Sequence, residues 1–412
     1  MVRLAILFLR FDHDGDGGRM IYLDNNATTQ LDPSVIEEML PFLMEHYGNP
    51  SSGYAFAARA RKALDLARER LAALLGCEPS EIVFTSGGTE SNNAMIDSAL
   101  QRDPRGKHVV TSAVEHSAVL GPCQDLAKRG CEVTFVGVDR DGNVDLAELE
   151  AAIRPETALV SMMWANNETG VLFPVEQIAG ICRAKGVLFH TDAVQAVGKI
   201  PIRLRNTAIN FLSLSAHKFH GPKGIGALYV NRRTRFSPLI VGGGQENGRR
   251  GGTENVASIV GLGKAAERAA EYLSQEQTQV RAMRDRLEKT ILENIPGASV
   301  NGAGAARLPN TSSFSFEEIE SPAALLLLDR HHICCSAGSA CRTGSQEASH
   351  VLRAMDSRGD GARRSLRFSL GRYNSESQID RAIEIVPKVV EKLRQLSAPA
   401  RETAVSTVTT AL

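Results

Sequence analysis

The chain has 412 residues, 43% of them hydrophobic and 23% charged, and its 47 lysines and arginines equal its 47 aspartates and glutamates. That length exceeds what a single hydrophobic core supports, so a large domain with a smaller companion is expected. Without net charge no global field draws the chain to nucleic acid or to a membrane surface, and any anion site must be local.

In chain order, LAILFLRF near the start is apolar but far shorter than the ~20 residues a bilayer span needs. It lacks a small-residue cleavage site and runs into the acidic, Gly-rich DHDGDGG. Residues 1–19 are read as an extension outside the fold, with Met20 opening the large domain. DPSVIEEMLPFLMEHYG begins with an Asp N-cap and a Pro at the first helical position, and AARARKALDLARERLAALLG keeps helical spacing until a Gly stops it. EIVFTSG, KHVVTSAVEH, TALVSMMWAN, GVLFHTDAVQ, INFLSLS and IGALYV are strand segments, with helices such as PVEQIAGICRAKG between them. That alternation predicts an α/β fold with a mostly parallel sheet covered on both faces, whose ligands collect at the carboxyl ends of the strands. The large domain is expected over 20–275 and a small α+β domain over 276–397, carrying a mobile Gly/Ser-rich segment near 334–348; 398–412 reads as a flexible tail.

Polar chemistry falls at the strand ends. GGTESNN joins a strand to a helix through Gly88, and its N–H groups suit an anion; the competing reading is a tight turn capped by Thr89. No G-x-x-x-x-G-K-[ST] is present, so a P-loop is not supported. Asp192 in FHTDAVQ either caps a turn or faces a cation such as a protonated pyridine. His116 in VEHSAV is either a hydrogen-bonded structural residue or a ring that stacks on a planar group. In SLSAHKFHGPKG, Lys218 stands between His217 and His220 just past an apolar strand. Burial there disfavours the ammonium, which makes Lys218 a liability or a nucleophile. Lys223, on a Gly-bounded loop, is the solvated competitor.

The seven cysteines lack the paired spacing of zinc or iron–sulfur centres, and free thiols in a reducing cytoplasm are the simplest reading. His331 and Cys335 share helical spacing but have no two further ligands, so no resident metal is expected.

YLDNNATT, GNPSS, IVFTSGGTES, MWANNETG, FHTDAVQAVGK, SAHKFHGPKG, GRRGGTEN, SAGSAC and RFSLGRY occur in order over nearly the whole chain. Together they resemble the cysteine desulfurases, pyridoxal-phosphate enzymes of the aspartate-aminotransferase fold type, and are closest to the nitrogen-fixation branch. The resemblance implies a seven-stranded, mostly parallel sheet in the large domain and a homodimer. It makes Lys218 the residue bonded to the cofactor, with Asp192 on the pyridine nitrogen, Gln195 near the phenolic oxygen and His116 on the ring face. Gly88, Thr89, Ser215 and His217 would hold the phosphate, with Thr253 reaching in from a second subunit. Asn167, which also borders the cofactor, and Arg367 would meet the carboxylate of L-cysteine, the latter through its planar fork.

Cys341 is then the sulfur acceptor, and the only thiol with a prospect of ligating an iron–sulfur cluster transiently. Cys334 and Cys335 are given core or loop roles. Sulfur would pass to an iron–sulfur scaffold or another acceptor protein, in this branch for nitrogenase. The chain departs from the family in carrying Arg342 after Cys341 and QEASH in place of a Pro-containing turn. A cation beside a thiol lowers its pKa. The competing activity is that of a selenocysteine lyase or an aminotransferase on the same scaffold.

Overall fold

The computed structural model describes residues 20–102, 106–337, 349–356 and 363–408. After the short strand β1 (Ile21–Tyr22) comes α1 (Pro33–Met44), where Asp32 accepts from the N–H of Ser34 and Pro33 opens the first turn, as the sequence predicts. α2 (Ala55–Leu75) ends at Gly76, whose φ of 63° closes the helix in the left-handed region.

Seven strands then build the main sheet: β2 (Ile82–Thr85), β3 (His108–Ser112), β4 (Glu132–Val136), β5 (Thr157–Ser161), β6 (Leu188–Asp192), β7 (Phe211–Ser215) and β8 (Gly226–Val230). Between them lie α3 (Gly88–Arg102), α4 (Ser117–Lys128), α5 (Leu146–Ala152) and α6 (Val175–Lys185). The order is β2-β8-β7-β6-β5-β3-β4, and only β8 runs against its neighbours. β2, β3, β5, β6 and β7 therefore end at one edge. All residues of β3, β5, β7 and β8 are buried, which is why these strands read as continuous apolar runs. β4, absent from the strand segments read in the sequence, is one of the two edge strands; Glu132 and Phe135 are exposed, so its apolar signal is diluted.

Beyond the sheet, α7 (Val256–Gln275) passes through a π turn at Glu276–Val280 into α8 (Arg281–Asn294). A second core follows, around β9 (Ala298–Val300), β10 (Thr311–Phe316), α9 (Ser321–Arg330), β11 (Ile333–Cys334), β12 (Ser336–Ala337), α10 (His350–Met355), β13 (Ser365–Ser369) and α11 (Glu376–Val408). Its four strands are antiparallel in the order β12-β13-β10-β9. β1 pairs with β11, so Ile21 and Leu23 join this second core with Leu287, Phe314 and Phe368 rather than the core of the main sheet. α11 continues past residue 397 to Val408. Among the described residues, no helix is long and apolar enough to cross a membrane.

Candidate active site

A cavity of about 570 Å³ opens at the carboxyl edge of the main sheet, within the size range of small-molecule sites. Gly88, Thr89, His116, Asn167, Asp192, Gln195, Ser215, His217, Lys218 and Arg367 all line it. Asp192 and Ser215 are the last residues of β6 and β7, and Lys218 ends the single 3₁₀ turn that follows β7. His116 caps α4, Gly88 and Thr89 form the first turn of α3, and Arg367 arrives from β13 in the second core.

Lys218 is half-buried, and its Nζ donates to the carbonyl oxygens of Asn26 (2.6 Å) and Ala27 (2.8 Å). These oxygens replace water lost on burial. Asp192 is 5% exposed; Oδ2 accepts from Asn92 Nδ2 (2.7 Å) and Oδ1 from the Val194 N–H (3.0 Å). One oxygen therefore caps a turn, while the carboxylate also borders the cavity, and neither hydrogen-bond partner is a cation.

The histidines are held neutral. His116 Nδ1 accepts from the Ala118 N–H (3.1 Å), which leaves the ring proton on Nε2. Burial lowers its pKa, against the pull of Asp192 and with the help of Lys218 and His350. Burial and the charges of Lys218, Lys223 and Lys199 push His217 down to about 4. His220, the other neighbour of Lys218, turns away: its Nδ1 meets the Gln30 carbonyl at 2.8 Å and its ring stands edge-on to Tyr373.

At the α3 end the glycine is required. A Cβ on Gly88 would meet Val194 Cγ2 at 2.7 Å, so only glycine lets the helix N-terminus approach this wall. Thr89 is exposed in the first turn rather than capping it; Glu90 accepts from the Ser86 N–H (2.8 Å). Opposite, Arg367 is 3% exposed and donates to the Asn167 carbonyl (2.9 Å) and Asp24 Oδ1 (2.6 Å). Its Nε is buried without a partner.

The model of the family described as "Aminotransferase class-V" matches residues 21–382. The chain belongs to the class-V aminotransferase family. It is 53% identical over 378 residues to a protein of Nostoc sp. named cysteine desulfurase, covering 92% of this chain and 94% of the relative. Identity to the cysteine desulfurase NifS of Azotobacter vinelandii is 52% over 378 residues, with the same two coverages. A solved structure titled NifS-like protein superposes with a TM-score of 0.84 at 39% identity, covering 90% of this chain and all of the other. The α/β fold read from the sequence is thus the fold of this family.

Class-V aminotransferases are pyridoxal-phosphate enzymes, and this chain is one of them. The cavity suits that group: a lysine amine, a buried carboxylate without a cation, and a glycine-opened helix N-terminus border one space. A pyridine nitrogen, an aldehyde and a phosphate call for those three features.

One expected residue does not line this cavity, and another is not among the described residues. Thr253 is exposed and lines a neighbouring hollow of about 130 Å³ that shares Ser86 and Gly224 with it. Cys341, with Arg342, lies outside the described residues. Cys335 packs against the second core and Cys334 Sγ lies 3.2 Å from Met20 Sδ; burial pushes both thiols up. His331 is exposed, and no group of three or more metal-ligating side chains occurs among the described residues.

Sequence reasoning missed four residues in or packed around this cavity. The Asn26 carbonyl oxygen accepts from both Lys218 Nζ and Gln195 Nε2; the doubled Asn of DNNATT was its only signal. Asn92 holds Asp192 from α3. Glu115, fully buried, accepts from Ser112 Oγ (2.7 Å) and the Met163 N–H (2.8 Å), while its Oε2 has no partner. Burial pushes its carboxyl up to about 8, those two donors pulling it down and Asp192 adding to the rise. Lys199, also buried, donates to Gln195.

Proposed function

We propose that this protein is a cysteine desulfurase: it converts L-cysteine to L-alanine and leaves the sulfur as a persulfide on Cys341. The observation that carries the reading is the convergence of Lys218, Asp192, His116 and Arg367 on one cavity at the sheet edge. The names of the relatives support the same substrate.

Pyridoxal phosphate, when bound, supplies an aldehyde that bonds amines and a ring that draws electrons from Cα of the bound amino acid. Lys218 would hold the aldehyde carbon, and its Nζ, when free, would take and return the Cα proton of the amino acid. Asp192, fixed by Asn92 and Val194, keeps the pyridine nitrogen protonated. Gln195 donates to the phenolic oxygen, and Thr89, Ser215 and His217 hold the phosphate at the N-terminus of α3, with Gly88 admitting it. Thr253, exposed beside the cavity, serves the phosphate of a second copy in a homodimer. Arg367, which lines the cavity, pairs with the substrate carboxylate, with Asn167 beside it. His116, neutral with its proton on Nε2, covers the ring face and relays the thiol proton.

In the sulfur step a Cys341 thiolate pair forms the S–S bond. The C–S pair stays with carbon, which is protonated to the methyl group of alanine, so no external oxidant enters. The persulfide is passed in the cytoplasm to an iron–sulfur scaffold; resemblance to the nitrogen-fixation branch favours nitrogenase as the destination.

Incubation with L-cysteine followed by mass analysis should find one added sulfur on the Cys341 peptide. Cys341→Ala should keep the visible band of the bound cofactor and lose sulfide release. Sulfide release from Cys341→Ala at the wild-type rate would favour the competing selenocysteine lyase or aminotransferase reading.

A further inference from the structure

Lys199 is unexplained by the reaction. It follows Gln195 by four residues, after a turn in which Gly198 has φ of 78° and a Cβ there would meet Phe219 Cβ at 2.9 Å. The backbone is thereby held in a bend that sends Lys199 inward, where it is 5% exposed. Its Nζ donates to Gln195 Oε1 at 2.7 Å and to Asn26 Oδ1 at 3.3 Å. Neither partner is a carboxylate, and burying an ammonium on neutral oxygens is costly in a way packing alone does not offset.

The hydrogen bonds restrict Gln195. A side-chain amide presents oxygen on one side and nitrogen on the other, and its neighbours decide which way it faces. Lys199 brings N–H groups, so the oxygen of Gln195 turns to it; the nitrogen then donates to the Asn26 carbonyl at 2.9 Å, and its second N–H is used by neither bond, on a residue that lines the cavity. The same Asn26 carbonyl accepts from Lys218 at 2.6 Å. Lys199, Gln195, Asn26 and Lys218 thus form one hydrogen-bonded chain along the cavity wall, with Lys199 at its buried end.

We propose that Lys199 is a positioning residue: it locks the flip of Gln195 so that an N–H, never the carbonyl oxygen, faces the phenolic oxygen of pyridoxal phosphate. The inference rests on the reading that Gln195 meets that oxygen. Burial, and then the charge of Lys218, push Lys199 down to about 7 while Glu276 pulls it up. The lock survives that change, since a neutral amine still donates N–H.

The pH titration of the visible band of the holoenzyme tests this separately from turnover. An N–H aimed at the phenolate spreads its charge and weakens its hold on the neighbouring imine proton, so loss of the donor moves the midpoint up. Lys199→Met should raise the midpoint by at least about 0.5 pH unit. Lys199→Gln, which keeps a neutral N–H donor, should raise it by less than half as much. Gln195→Leu should also raise it, and adding Lys199→Met to Gln195→Leu should add nothing. A Lys199→Met midpoint equal to wild type, beside a shifted Gln195→Leu, overturns the proposal. So does a Lys199→Met shift that persists in full in the Gln195→Leu background, because the cation then acts directly. If Lys199→Met does not fold, Lys199→Gln decides alone: a shift as large as that of Gln195→Leu overturns the lock. A band unmoved by Gln195→Leu removes the phenolic contact and the inference with it but leaves the desulfurase reading standing. No band in the wild-type protein sinks that reading instead.

Discussion

At the carboxyl edge of the seven-stranded sheet, Asp192 and Ser215 are the last residues of their strands and Lys218 stands one short turn further on. The four-stranded sheet of the second core instead sends Arg367 from the middle of a strand. The first arrangement puts several polar groups at fixed depths on one rigid edge, where strand register sets their mutual distances. The second reaches the cavity across a seam and is steadied by Asp24 and the Asn167 carbonyl, one contact from each side of the chain fold. Under the proposed function the difference amounts to a division of labour: the large sheet would determine the state of the cofactor, and the small sheet how substrate is held.

That division can be broken most severely at Lys218. Lys218→Ala should abolish the borohydride-sensitive visible band and cut turnover by more than about 10³-fold. Arg367→Ala should leave the band in place and lower kcat/KM about 10²-fold, chiefly through KM, as expected for loss of a charge-assisted contact to a carboxylate. Arg367→Lys should recover only part of it, since an ammonium cannot pair in a fork. Loss of the band in Arg367→Ala would show that the two sheets do not divide the work.

Glu115 sharpens the comparison through stability. Its folded pKa of about 8 lies above the ordinary 4.5. Below about 4.5 the carboxyl is protonated whether folded or not, and its contribution is fully present. As pH rises from there to about 8 the buried carboxyl resists ionisation while the unfolded one does not, and stability is lost. Glu115→Gln should therefore flatten the pH dependence of denaturant midpoints over that window and be the more stable protein at pH 8, by on the order of 1–2 kcal/mol. Equal slopes for the two proteins would contradict the burial argument. The smallest effect belongs to the second core: Cys335→Ala should leave turnover within about twofold and stability within about 1 kcal/mol. Added sulfur mass on Cys335 would overturn its packing role.

Much of this architecture is legible in the chain. The N-cap at Asp32, the stop at Gly76 and the buried strands follow from local signals that tertiary packing did not override. β4 was hidden because an edge strand with exposed Glu132 and Phe135 has no continuous apolar run. At the site, Lys218 was legible because a lysine directly past an apolar strand conflicts with its surroundings. Asn26, Asn92 and Lys199 were not, because a single amide on a helix or turn, or a lysine in a turn, carries no mark of what it will face. The two histidines beside Lys218 look alike in sequence. Only the left-handed turn at His220, with φ of 68°, sends one ring to Tyr373 and leaves the other at the cavity.

By itself, the sequence determined the α/β class, the strand ends where polar chemistry gathers, and the family, because periodicity and ordered motifs are local properties of the chain. Tertiary structure alone decided that β1 joins the second core, that Arg367 crosses to meet Asn167, and that Lys199 stands behind Gln195. Those outcomes depend on which surfaces pack and which donors and acceptors are left facing each other once water is excluded. Distances along the chain do not record that.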